Sequence, residues 1–136
     1  CDDTVNGKII TILGVTFKPD TDDMRDAPAL TIVPALVGQG AKVRVVDPQG
    51  QREGEDLLPG VAWFEDIQKA VRNAECLIIL TEWDMFAGLD LADLVKRMRA
   101  PRFADLRNMY SMKEARRAGF EAYSSIGRSG YLAVND

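Results

Sequence analysis

Gly14-Val15-Thr16-Phe17-Lys18-Pro19-Asp20-Thr21-Asp22-Asp23-Met24-Arg25-Asp26-Ala27-Pro28 is the stretch on which the fold turns. Upstream of it, Lys8-Ile9-Ile10-Thr11-Ile12-Leu13 is β-branched and apolar on both sides, the pattern of a central parallel strand covered on both faces. Downstream, Ala29 to Val37 has the apolar density of a buried helix. The stretch is therefore a loop at the carboxyl end of a strand, the edge at which open α/β sheets bind ligands. Lys18 and Arg25 stand in it beside a fresh helix N-terminus, a setting suited to an anion such as phosphate. The competing reading is a surface turn with solvated charges. Only Gly14 follows the strand closely, so no G-x-G-x-x-G cradle exists and an anion must be held by side chains.

Outward from this loop the pattern repeats. Asp26 can cap the helix that begins near Ala27, Pro28 is tolerated in its first turn, and Pro34 is expected to kink or split it. Lys42 to Val46 is a second strand, closed by Asp47-Pro48. An acid at that point holds a ribose in dinucleotide folds, but without the glycine fingerprint the preferred role of Asp47 is to cap a turn. Gln49 to Gly60 is a polar loop. Val61 to Phe64 is a short strand or a core anchor, and Glu65 to Asn73 is expected as a helix with Ile67, Ala70 and Val71 inward.

Cys76-Leu77-Ile78-Ile79-Leu80 is the most apolar run and a further central strand. Thr81-Glu82-Trp83-Asp84 follows at the same sheet edge. Thr81, Glu82 or Trp83 could line a ligand cleft, but a capping box with Trp83 as a packed anchor is preferred. Asp90 to Ala100 is an amphipathic helix with Leu91, Leu94, Val95 and Met98 inward. Arg102 to Leu106 is a strand with Arg107 just past its end, Ser111 and Glu114 form a capping box, and Gly119 stops the helix they start. Phe120 to Ile126 is a last strand, 127–136 a loosely held tail, and 1–7 the remnant of an interdomain linker.

Composition narrows the chemistry. The 136 residues, 46% hydrophobic, suffice for one domain with a core and are too few for two. Lys plus Arg number 17 against 21 Asp plus Glu, a net charge of -4, which argues against bulk nucleic acid or an anionic membrane as partner. No apolar run approaches the roughly 20 residues of a membrane span, and no leader peptide is evident. Cys1 and Cys76 suggest neither a disulfide framework nor a metal site, which fits a cytoplasmic setting. Histidine is absent, so the commonest general base and metal ligand are both missing. No catalytic nucleophile is found.

Three ordered strings, FKPDTDDMRDAP from Phe17, TEWDMF from Thr81 and DLRN from Asp105, resemble landmarks of the C-terminal UDP-binding domain of the UDP-glucose 6-dehydrogenase family. Enzymes acting on UDP-N-acetylmannosamine or GDP-mannose share part of this skeleton, but Thr16, Thr21, Met24 and Asp26-Ala27 look most like the UDP-glucose branch. The resemblance implies that Phe17, Lys18 and Arg107 contact a UDP-sugar, that Arg25 reaches NAD across a domain interface, and that no catalytic residue or metal lies in this chain. It also implies N-terminal and central domains carrying the nucleophile and the main NAD site, a homo-oligomer at full length, and no activity for the isolated chain. A non-catalytic nucleotide-binding module is the rival from another class. The fold expected is α/β, Rossmann-like without the glycine fingerprint: a doubly wound, mainly parallel sheet of five to six strands with helices on both faces.

Overall fold

The computed structural model describes residues 5–15, 29–48, 58–81, 83–125 and 128–132. Its elements run β1 (Ile9–Leu13), α1 (Ala29–Gly38), β2 (Lys42–Val46), β3 (Ala62–Phe64), α2 (Ile67–Ala70), β4 (Cys76–Ile79) and a 3₁₀-helix (Asp84–Phe86). These are followed by α3 (Leu91–Arg97), β5 (Arg102–Asp105), α4 (Met112–Ala118), β6 (Ala122–Ser125) and β7 (Arg128–Leu132). One sheet takes the strands in the order β3-β2-β1-β4-β5-β6-β7. All pairings are parallel except β6 with β7. Chain order reverses between β1 and β4, the switch point of a doubly wound sheet.

The alternation of β1 explains its central place. Ile10 and Ile12 pack with Val33 of α1 on one face, while Leu13 joins Ala70, Leu94 and Ala115 of α2, α3 and α4 on the other. A strand apolar on both sides fits only between two helical layers. Thr11 is the polar exception, fully buried, and its hydroxyl donates to Ala70 O at 2.6 Å.

Four expectations are corrected. Six strands form the parallel sheet, within the five to six expected, but part of the expected tail adds a seventh, β7, which pairs antiparallel with β6, Tyr123 opposite Tyr131. Without that pairing β6 would present an open row of backbone donors and acceptors. Pro34 does not split α1: it is exposed within one unbroken helix. The helix expected over Glu65 to Asn73 shrinks to one turn, Ile67–Ala70, capped by Asp66. Its end is sealed by strand side chains, since Arg44 donates to Ala70 O and Arg72 O at 3.1 and 2.7 Å, and Asn73 turns left-handed at φ 62°. Finally, α3 ends at Arg97 because Met98 is already extended before Pro101. The Ser111–Glu114 capping box and the Gly119 stop are both present. No helix among the described residues is long and apolar enough to cross a membrane.

Candidate site at the carboxyl edge of the sheet

Strand register brings the candidate residues to one edge. Leu13 aligns with Val46 and with Ile79, Ile79 with Asp105, and Asp105 with Ser125. Just beyond this line lie Gly14 and Val15 after β1, Asp47 after β2, Thr81 after β4 and Arg107 after β5. Phe17, Lys18 and Arg25, with Asp26 and Glu82, lie outside the described residues. Of the residues singled out as ligand contacts, Arg107 is the one described: it is half-buried, in the turn that leaves β5.

Three buried polar side chains shape this edge. Asp47 has a role not weighed for it: its Oδ2 accepts from Val15 N at 2.7 Å, tying β2 to the point where β1 leaves the sheet. Thr81 is fully buried and packs on Gly14, whose φ of +87° and missing Cβ permit the approach. The capping role expected for Thr81 is corrected, because the 3₁₀-helix begins later, with Trp83 as its N-cap and no side-chain cap bond. Trp83 is 5% exposed and packs with Leu13, Val46 and Phe86, as an anchor does.

Asp105 is the third, and sequence reading passed over it. Its side chain is fully buried, with Oδ1 accepting from Met109 N at 3.0 Å and Oδ2 from Tyr110 N at 2.7 Å. The Leu106–Tyr110 turn thus wraps around the carboxyl group of the strand that precedes it, and Asn108 takes a left-handed φ of 54° to close it. Tyr110 then ties this turn to the loop after β4, its hydroxyl donating to Phe86 O and accepting from Leu89 N at 2.9 Å. Phe103 packs against both tyrosines, tilted to Tyr110 at a centroid distance of 5.9 Å and edge-on to Tyr123 at 5.4 Å. The signal was available: an acid inside the apolar run Phe103-Ala104-Asp105-Leu106 cannot be buried without donors aimed at it.

Cys76 is buried in β4, and burial pushes its thiol up from the ordinary range, so it stays protonated and unreactive. Among the described residues no group of three or more His, Cys, Asp or Glu could hold a metal ion. NAD does not fit the end of β1 as a dinucleotide fold holds it, since Gly14 is taken up by packing against Thr81 and no second glycine follows.

Residues 11–112 match the family model described as UDP-glucose/GDP-mannose dehydrogenase family, UDP binding domain. The chain belongs to that dehydrogenase family. It is 44% identical over 124 residues to the UDP-glucose 6-dehydrogenase of Rhizobium meliloti, covering 91% of this chain and 28% of that protein. Against the UDP-glucose 6-dehydrogenase YwqF of Bacillus subtilis it is 40% identical over 129 residues, 94% of this chain and 29% of that one. Among solved structures, an NDP-N-acetyl-D-galactosaminuronic acid dehydrogenase from Methanosarcina mazei superposes with a TM-score of 0.79 at 28% identity, covering 93% of this chain and 26% of that one. A UDP-glucose dehydrogenase from Pyrobaculum islandicum gives 0.73 at 29%, covering 93% and 27%. The chain spans under a third of the length of these relatives. Those two structures are named for different sugars, so the backbone likeness does not distinguish between them.

Proposed function

We propose that this chain is the C-terminal, UDP-sugar-binding domain of a longer NAD-dependent UDP-glucose 6-dehydrogenase, which oxidises the sugar C6 alcohol to a carboxylate in two successive steps. Phe17, Lys18 and Arg107 contact the UDP-sugar, and Arg25 reaches NAD across a domain interface. When bound, NAD accepts a hydride in each step. It is held mainly by a preceding domain, since the end of β1 here offers no glycine cradle.

One observation carries this reading: Arg107 leaves β5 on the same register line at which β1, the strand that precedes Phe17 and Lys18 in sequence, ends. β4 alone separates the two strands, so their ends are about 10 Å apart at the usual strand spacing. Arg107 is rooted at this edge, where a guanidinium can make a paired contact with a diphosphate. The identity to two UDP-glucose 6-dehydrogenases supports the choice of sugar. A UDP-N-acetylmannosamine or GDP-mannose substrate is the second reading, favoured by the 0.74 TM-score to a UDP-D-ManNAc dehydrogenase from Pyrococcus horikoshii.

Calorimetric titration of this chain with UDP, GDP and ATP tests the assignment. UDP is expected to bind best, though weakly, because half a cleft must still offset about 4 to 15 kcal/mol of lost translational and rotational freedom. Equal affinity for all three would reduce the edge to a generic anion site. With NAD and UDP-glucose the isolated chain is expected to produce no NADH, and turnover would overturn the division of labour between domains.

A further inference from the structure

We infer that Asp105 is a positioning residue for Arg107, fixing the turn from which that guanidinium reaches an anion, and does not itself touch ligand. The inference rests on the proposed role of Arg107 as the contact to UDP.

A buried carboxyl group is an expensive way to fill space. Moving a carboxylate out of water costs several kcal/mol unless donors replace the lost water, and an apolar side chain of similar size would pack without that cost. At Asp105 the donors come from the turn itself. Met109 N–H and Tyr110 N–H converge on its two oxygens, and the Tyr123 hydroxyl, 2.8 Å from Tyr110 O and 3.3 Å from Asp105 Oδ2, shares its one hydrogen between them. The return for the desolvation is a defined backbone path from Leu106 to Tyr110.

That path is held at both ends. Leu106 N donates to Ile79 O at 3.1 Å, which keeps the start of the turn in the sheet, and the Tyr110 hydroxyl holds its finish to the loop after β4. Arg107 lies between these anchors, so its backbone is placed before any ligand arrives. Preorganisation of this kind raises affinity by removing an ordering cost from the binding step. Asp105 is fully buried, with both oxygens accepting from the turn, so its carboxyl group is closed to a ligand.

A double-mutant cycle on UDP binding by this chain tests the inference. Asp105→Asn is nearly isosteric but turns one acceptor into an NH₂ that must face a backbone N–H. It is expected to weaken UDP on the order of tenfold. In an Arg107→Ala background the same change is expected to cost nothing further, because the group being positioned is gone. Tyr123→Phe removes only the hydroxyl and leaves both backbone contacts to Asp105. It is expected to cost about threefold with Arg107 present and nothing without it, and it carries the cycle should Asp105→Asn fail to fold. Equal losses in both backgrounds would overturn the inference, since Asp105 would then serve the fold at large. An unchanged affinity in both the Asp105 and Tyr123 variants, with Arg107→Ala impaired, would overturn it too. If Arg107→Ala itself left UDP affinity unchanged, the role proposed for Arg107 would fail and this inference with it, a signature distinct from the other two.

Discussion

Gly14 and Thr81 meet across the switch point of the sheet so closely that a Cβ on Gly14 would lie 2.5 Å from Thr81 Cβ. The two residues follow β1 and β4, the pair at which strand order reverses. Gly14→Ala is expected to destabilise the chain by about 2 to 4 kcal/mol, combining the left-handed backbone penalty with overpacking. Urea unfolding followed by circular dichroism measures it. A loss well under 1 kcal/mol would mean that this contact yields easily.

Asp47 gives a second test of the same edge. Val15 is buried, and its N–H has the Asp47 carboxylate as acceptor, so Asp47→Ala is expected to cost about 1 to 3 kcal/mol of stability. An Asp47 that served a ribose would behave otherwise, leaving the unfolding midpoint in place and weakening nucleotide binding. Unfolding and UDP titration on one variant separate these outcomes.

Among the cations of the proposed site, Lys18 and Arg107 are expected to act alike and Arg25 differently. In the full-length enzyme, Lys18→Ala and Arg107→Ala each raise the substrate KM about tenfold to a hundredfold, the value of a hydrogen bond to a charged group. Arg107→Lys is also impaired, because an ammonium cannot make a guanidinium's paired contact. Arg25→Ala weakens NAD more than the UDP-sugar and leaves UDP binding by this chain almost unchanged. Loss of UDP binding in that variant would make Arg25 a substrate ligand.

Tyr110 predicts a response to alkaline pH. Burial pushes its phenol above the ordinary value of about 10, with the Leu89 N–H pulling weakly the other way. The unfolded chain ionises first, so the stability from keeping this phenol neutral is fully present below about pH 10 and is lost as pH rises through the higher folded value. Tyr110→Phe is expected to be the less stable protein at about pH 8, having lost its bonds to Phe86 O and Leu89 N, and to narrow the gap by about pH 10.5. Urea midpoints at the two pH values measure the gap, and a constant difference would show that Tyr110 ionises as freely folded as unfolded.

The sequence by itself determined the alternation of strand and helix, the burial of β1 on both faces, the Ser111–Glu114 cap, the Gly119 stop and the motifs that mark the family. Each of these depends on residues within a few positions of one another, where period, capping and φ preference act. What only the tertiary structure decided depends on strand order and register. Asp47 reaches Val15 across 32 positions and Tyr110 reaches Phe86 across 24, contacts that exist because parallel strands carry their ends to one edge. The shortening of α2 has the same origin, since Arg44, on a strand 26 positions away, takes the carbonyl that another helical turn would have used. So does β7, whose strand identity comes from the open edge of β6 beside it. A buried acid such as Asp105 is visible in the sequence as an anomaly, but only the fold supplies the donors that explain it.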